Sequence, residues 1–249
     1  MVNSSFTQPL LKTSFRVNEI NQASVAAFQL LISGNSEIWH IISLSFGVSL
    51  TAILIATPIA LIVSFFLAFF QFPLRRALIS LFNTFMSVPA VIIGLTLYLL
   101  LSRSGPLGNL GLLFTSKAMV IGQILLCFPL LVAMAHSSFQ AADRRAWETA
   151  ITLGAKPWRA FFTLMYELRF GLIAAVVAGF GRIIAEIGCS MMVGGNILNA
   201  TRNIPTAIAL ETSKGEFAQG IALGMVLLIL SLGLNAGVSI FQGRGELQA

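Results

Sequence analysis

Five stretches of this chain, roughly Ile38 to Phe70, Ala77 to Leu101, Ala118 to Ala142, Phe170 to Met192 and Ala218 to Phe241, are long and apolar enough to cross a bilayer. Hydrocarbon cannot hydrogen-bond a bare backbone, so each stretch must satisfy its own amides as a helix or close into a barrel. The runs are continuous rather than alternating, which excludes barrel strands. The expected class is therefore an all-α integral membrane protein, a bundle of about five transmembrane helices. With 57% hydrophobic and 10% charged residues, the chain has far too few charges to cover a water-soluble globule.

The net charge of +6 is spread between apolar runs rather than gathered into a patch, so nucleic acid is not an expected partner. The basic residues read as topology signals instead. Arg75 and Arg76 follow the first stretch, and Arg144, Arg145, Lys156, Arg159 and Arg169 cluster between the third and fourth. Those two loops are expected in the cytoplasm, which puts the amino terminus outside and the carboxyl terminus inside, although Lys12, Arg16, Arg103, Lys117, Arg202 and Lys214 fall on the outer side. Residues 1–35 read as a retained polar tail with a short interfacial helix from Ala23 to Ile32, and residues 36–249 as the membrane domain. Cys127 and Cys189 lie in apolar runs without metal-ligand or redox spacing and read as core residues. Pro58, Pro89 and Pro129 fall inside the first three stretches; each is a kink that suits a transport path or an ordinary membrane-helix proline.

The loop over residues 143–169 has its own grammar. Arg144 to Leu153 is a run of good helix formers, Gly154 is placed to stop it, and Pro157 is placed at the first turn of a second helix. The pattern predicts a helix, a sharp turn and a helix beneath the membrane. The small residues Ala146 and Ala150 around the bulky Trp147 suit insertion into a groove on a partner protein, or a helix resting on lipid headgroups.

Glu148, Thr149, Ala150 and Gly154 resemble the signature of importer permeases of the ATP-binding-cassette (ABC) superfamily: Glu-Ala-Ala, three residues, Gly, nine residues, Ile-x-Leu-Pro. The spacing from Glu to Gly matches. Thr149 replaces the first Ala, and Leu164, Tyr166 and Glu167 stand where the pattern has Ile, Leu and Pro. The resemblance implies the type I permease fold and a coupling helix, carried here by Arg145, Ala146, Trp147, Glu148, Thr149, Ala150, Leu153 and Gly154, that fits a cleft on an ATPase subunit.

In the fourth stretch, Arg182 and Glu186 stand four residues apart, where each is the other's expected partner, either bracing the bundle or lining the path. Gly179, Gly181 and Gly188 permit close helix approach. Met191, Met192, Gly194, Gly195 and Asn196 read as a gate with a deformable apolar seal, or as a helix end entering a plain loop. The polar stretch that follows, with Thr201, Arg202, Asn203 and Pro205, is expected to face water outside the membrane. Arg202 and Lys214 read as solvated loop charges, or as contacts for an anion or an external protein.

The run EIGCSMMVGGNILNATRNIPTAIALETSKGEF resembles permeases of the tungstate and molybdate importer group, the tungstate branch above all. That resemblance implies a homodimer in a bacterial or archaeal cell (inner) membrane, its path at the subunit interface, with two ATP-binding subunits inside and a substrate-binding protein outside. The cargo it implies is tungstate, with molybdate or vanadate as alternatives. The chain has no Gly, four residues, Gly-Lys-Ser/Thr, so ATP and Mg2+ are expected in the partner subunit and no cofactor, metal or catalytic residue in this chain. The pore candidates offer no convergent set of donors for a tight oxyanion cage, which fits a path needing weak contact. A gradient-driven secondary transporter would call for inverted repeats around midplane carboxylates, for which Glu186 is a thin basis. A membrane enzyme would need a nucleophile, base or metal cluster that His40 and His136 do not supply.

Overall fold

The computed structural model describes residues 34–141 and 144–243, together with residues 25, 29 and 32. The expected tail and the interfacial helix from Ala23 to Ile32 lie outside the described residues apart from those three, of which Val25 and Ile32 are exposed helical residues.

Helix α1 (Ser36–Phe69) begins at Asn35, whose side-chain oxygen accepts the N–H groups of Glu37 at 2.9 Å and Ile38 at 3.5 Å. At about 1.5 Å per residue it is about 50 Å long, well beyond the hydrocarbon thickness of about 30 Å. There follow α2 (Arg75–Met86), α3 (Ala90–Leu101), a short 3-10 turn at Gly108–Leu110, α4 (Ser116–Ala141), α5 (Arg144–Thr152), α6 (Pro157–Glu167), α7 (Arg169–Ile184), α8 (Gly188–Gly194), α9 (Ile204–Lys214) and α10 (Phe217–Gly243).

Helices α1 and α4 pack along each other as the spine of the bundle. Ala52, Ala56 and Ala60, one turn apart on α1, are wholly buried in a core shared with Met119, Leu126, Cys127 and Leu131 of α4. Small residues on one stripe let two membrane helices approach, and van der Waals contact is then what holds them. Elsewhere on α1 Leu50, Leu54, Ile62 and Phe66 are exposed, as a lipid-facing surface requires.

The expected spans hold as apolar segments, but two of them are broken. Helices α1, α4 and α10 are each long and apolar enough to cross alone; α2 with α3, bent by 99°, and α6 with α7, bent by 74°, bring the number to five if each pair is one span. The stretch expected to run unbroken from Ala77 to Leu101 ends at Met86 and resumes at Ala90, because Pro89, as the N-cap of α3, cannot continue α2. Pro58 and Pro129 stay inside α1 and α4. The stretch expected from Phe170 to Met192 stops at Ile184, and the short helix α8 follows.

Breaking a helix in a membrane exposes backbone groups, and side chains meet them here. Gln123, buried in α4, donates its amide to the carbonyl of Ile183 at the end of α7 (3.3 Å). Arg182 donates to the carbonyl of Met86 at the end of α2 (3.5 Å), and Arg75 donates to that of Leu67 near the end of α1 (2.6 Å). The Glu186 carboxylate accepts the N–H groups of Gly188 (2.7 Å) and Cys189 (3.3 Å) at the start of α8.

The segment expected to face water is instead built into the protein. Thr201, Asn203 and Thr206 are buried; Thr201 donates to the Gly194 carbonyl at 2.5 Å and accepts the Ile197 N–H at 3.0 Å. Asn203 and Thr206 form a reciprocal capping box that starts α9, and Ser45 of α1 accepts the Ile204 N–H at 2.7 Å. Each polar side chain spends its hydrogen bonds on the loop backbone, which lets the loop be buried.

Helix α8 wedges between α3 and α4. A Cβ on Gly94 would lie 2.8 Å from the Cys189 Cα, and one on Gly122 would lie 2.5 Å from the Cys189 sulfur. Gly94→Ala is expected to destabilise the detergent-solubilised protein by about 1–3 kcal/mol, since backbone must move to admit the methyl group. Gly47→Ala, where a Cβ meets nothing within 4 Å, is the neutral control; thermal unfolding of the two variants checks this.

Candidate functional site: the α5–α6 turn and the broken helices

Helix α5 ends where the sequence predicts. Gly154 takes a φ of +85°, a conformation that costs other residues strain, and Pro157 opens α6 at its first turn. Among the coupling candidates, Glu148, Thr149 and Gly154 are exposed and Ala150 is half-buried; Leu153 is 83% exposed. Arg145 and Ala146 lie on the α5 backbone, and their side chains are outside the described residues.

Trp147 departs from its expected role as an anchor offered outward. It is half-buried against the bundle, its ring centre 5.1 Å from that of Phe65 and 5.6 Å from that of Phe69. Phe65 also meets Phe139 of α4 at 5.8 Å and Phe161 of α6 at 4.8 Å. Most of these pairs are edge-to-face, which aromatic quadrupoles favour. One aromatic plug thus ties α5 and α6 to the ends of α1 and α4. The outward apolar group is Leu153, with Ile151 at 37% exposure beside it.

Arg182 and Glu186, expected to pair, do not form an ion pair among the described residues. The helix that would have set them on one face ends at Ile184, and each side chain serves a different helix end. Arg182 is exposed. Met192 and Gly194 pack inward, Met192 against Gly94 and Gly194 against Met119, while Met191 is 39% exposed. Gly195 and Asn196 turn the chain with φ of +70° and +52°. Among the described residues, no group of three His, Cys, Asp or Glu could hold a metal ion.

Arg202, expected as a solvated charge, is 12% exposed in its side chain and reaches Glu37 at 3.5 Å, and Lys214 pairs with the buried Glu211 at 3.0 Å. The sequence reading missed Gln123, whose signal is a lone amide inside an otherwise apolar span, and the paired Phe65 and Phe69, which read as ordinary lipid-span residues.

No family model matches the chain. The tungstate uptake system permease protein TupB of Peptoclostridium acidaminophilum is 40% identical over 217 residues, covering 87% of this chain and 95% of that one. The protein of the same name from Campylobacter jejuni is 45% identical over 167 residues, 67% of this chain and 70% of that one. The chain belongs to the tungstate branch of the ABC importer permeases. The inward-facing MetNI methionine ABC transporter shares the fold of this permease, with a TM-score of 0.63 at 17% identity over 83% of this chain and 93% of that one. The permease is thus a multi-pass membrane protein and not an enzyme. Permeases of this family work with ATP-binding and substrate-binding proteins, and ATPase activity resides in a separate subunit.

The plug gives a measurable expectation. Trp147→Ala removes a half-buried indole, a loss of about 2 kcal/mol, and should speed amide exchange in α5 about tenfold or more while leaving α1 protected. Hydrogen-exchange mass spectrometry of the purified complex measures both. Unchanged exchange in α5 would show that Trp147 does not hold it.

Proposed function

We propose that the permease carries tungstate inward, working as a homodimer with two ATP-binding subunits on the α5 side and a substrate-binding protein on the other. The observation that carries the reading is 40% identity to the P. acidaminophilum tungstate uptake permease over 87% of this chain and 95% of that one. The α5–α6 turn supports it: an exposed Leu153 and Ile151 beside Glu148, on a helix fastened from behind, present a small docking face. The basic residues around α2 and from α5 to α7 support a cytoplasmic position for that end, with the amino terminus outside.

In this mechanism ATP and Mg2+ bind the partner subunits and draw them together, the two α5 helices follow, and the aromatic plug passes the displacement to α1 and α4. The bundle then rocks between inward-open and outward-open states around a path where the two copies meet. The chemistry of ATP stays in the partner subunits, and this chain supplies the bundle that moves.

ATP-dependent uptake by proteoliposomes holding the permease with its ATPase and binding proteins tests this, with tungstate expected ahead of molybdate and vanadate. Transport that persists without the ATPase subunit and follows an ion gradient would overturn it. Gly154→Asp and Glu148→Ala are expected to lower uptake by about an order of magnitude and to abolish stimulation of ATP hydrolysis by loaded binding protein, since the turn fixes the docking face. Wild-type coupling in both variants would remove α5 from the account.

A further inference from the structure

Helix α2 has two unlike faces. Leu78 and Phe82 pack on the core, and Leu81 and Phe85 line an apolar groove with Ile59, Ile92 and Phe128. Arg76, Ser80, Asn83, Thr84 and Ser87 recur at helical spacing on the other side and line an open concavity of about 560 Å3. All five are exposed, and α2 buries no residue completely. Thr84 gives its hydroxyl proton to the Ser80 carbonyl, whereas the Ser80 and Ser87 hydroxyls, the Asn83 amide and the Arg76 guanidinium have no hydrogen-bond partner among the described residues.

At the Ser87 end of this strip stands Arg182, reaching across from α7 to the Met86 carbonyl. That bond uses one of five guanidinium N–H groups. Glu186, the carboxylate expected to neutralise Arg182, is committed to the start of α8. Neither arginine makes an ion pair among the described residues. Amides and guanidinium groups turned to hydrocarbon would cost several kcal/mol each, so the face belongs to water or to a ligand rather than to lipid.

We propose that the polar face of α2 from Arg76 to Ser87, with Arg182 of α7, is a string of weak oxyanion contacts along which the cargo passes. The inference rests on the importer reading above and gives it a path. A tetrahedral oxyanion offers acceptors on every side and suits a succession of hydroxyl, amide and guanidinium donors spaced about one helical turn apart. No point on the strip gathers enough donors to trap the anion. A path must admit its ion and also let it go, and several weak sites do so better than one deep one.

Thiol labelling tests the strip in the full complex with its ATPase subunits, because Cys127 and Cys189 are both buried and give a low background. Asn83→Cys is expected to react with water-soluble methanethiosulfonates about tenfold faster than Leu81→Cys on the apolar side. Adding Arg182→Gln should lower the rate for the anionic reagent relative to the cationic one about fivefold, and Arg182→Lys should restore it. ATP-driven tungstate uptake should fall about tenfold in Arg182→Gln and largely return in Arg182→Lys. An unreactive Asn83→Cys, a charge preference indifferent to Arg182, or undiminished uptake in Arg182→Gln would each overturn the proposal. A wild-type complex that imports no oxyanion would instead overturn the importer reading, a result the labelling contrast keeps distinct.

Discussion

Backbone hydrogen bonds cannot be left open inside a membrane, and the architecture of this permease follows from how it breaks helices under that rule. Each break frees carbonyls on one side and N–H groups on the other, at a cost of several kcal/mol per unsatisfied group. Gln123 adds a second donor to the Ile183 carbonyl, which also accepts the Glu186 N–H, while Arg182 answers the carbonyl of Met86, Arg75 that of Leu67, and Glu186 the amides that open α8. With those groups in place, α8 can leave the line of α7 and wedge between α3 and α4 at the glycines that admit it. A bundle of straight spans would offer less: the breaks turn a polar face of α2 and an exposed arginine toward one side of the molecule.

The second constraint is mechanical. In the proposed mechanism α5 docks on a moving partner, and it transmits that motion only if it is stiffly joined to what must move. The ring of Phe65, Phe69, Phe139, Trp147 and Phe161 supplies that joint, with five large side chains from four helices meeting mostly in edge-to-face contact. Its partners belong to α1 and α4, the helices whose alanine stripe and core form the spine of the bundle. Displacement at α5 therefore acts on the spine directly, and close-packed interiors shift between discrete arrangements rather than deform smoothly.

Much of this was legible in the amino-acid order. Apolar runs located the membrane segments, because lipid imposes a length and a composition that no other solvent does. Gly154 and Pro157 announced the α5–α6 turn, since a left-handed residue and a first-turn proline are local requirements. What escaped were long-range choices. Arg182 and Glu186 read as a pair while their segment read as one helix, and nothing local revealed that it ends at Ile184. Thr201 and Asn203 read as solvent-facing because polarity alone cannot distinguish water from a loop backbone as the hydrogen-bonding partner. Trp147 read from the sequence as an anchor for a partner groove or for lipid headgroups, and it turns toward Phe65 in the fold, a direction set by α1, about eighty residues earlier.

The central claim is that α5 and the spine move as one body. Electron spin resonance distances in the assembled transporter test it, with one label pair at Thr149 of the two copies of the proposed homodimer and another joining Thr149 to the exposed Ile62 of α1 in the same copy. On binding ATP the distance between copies should shorten by several ångströms while the distance within a copy holds. A changing distance within a copy, or none between copies, would contradict the account.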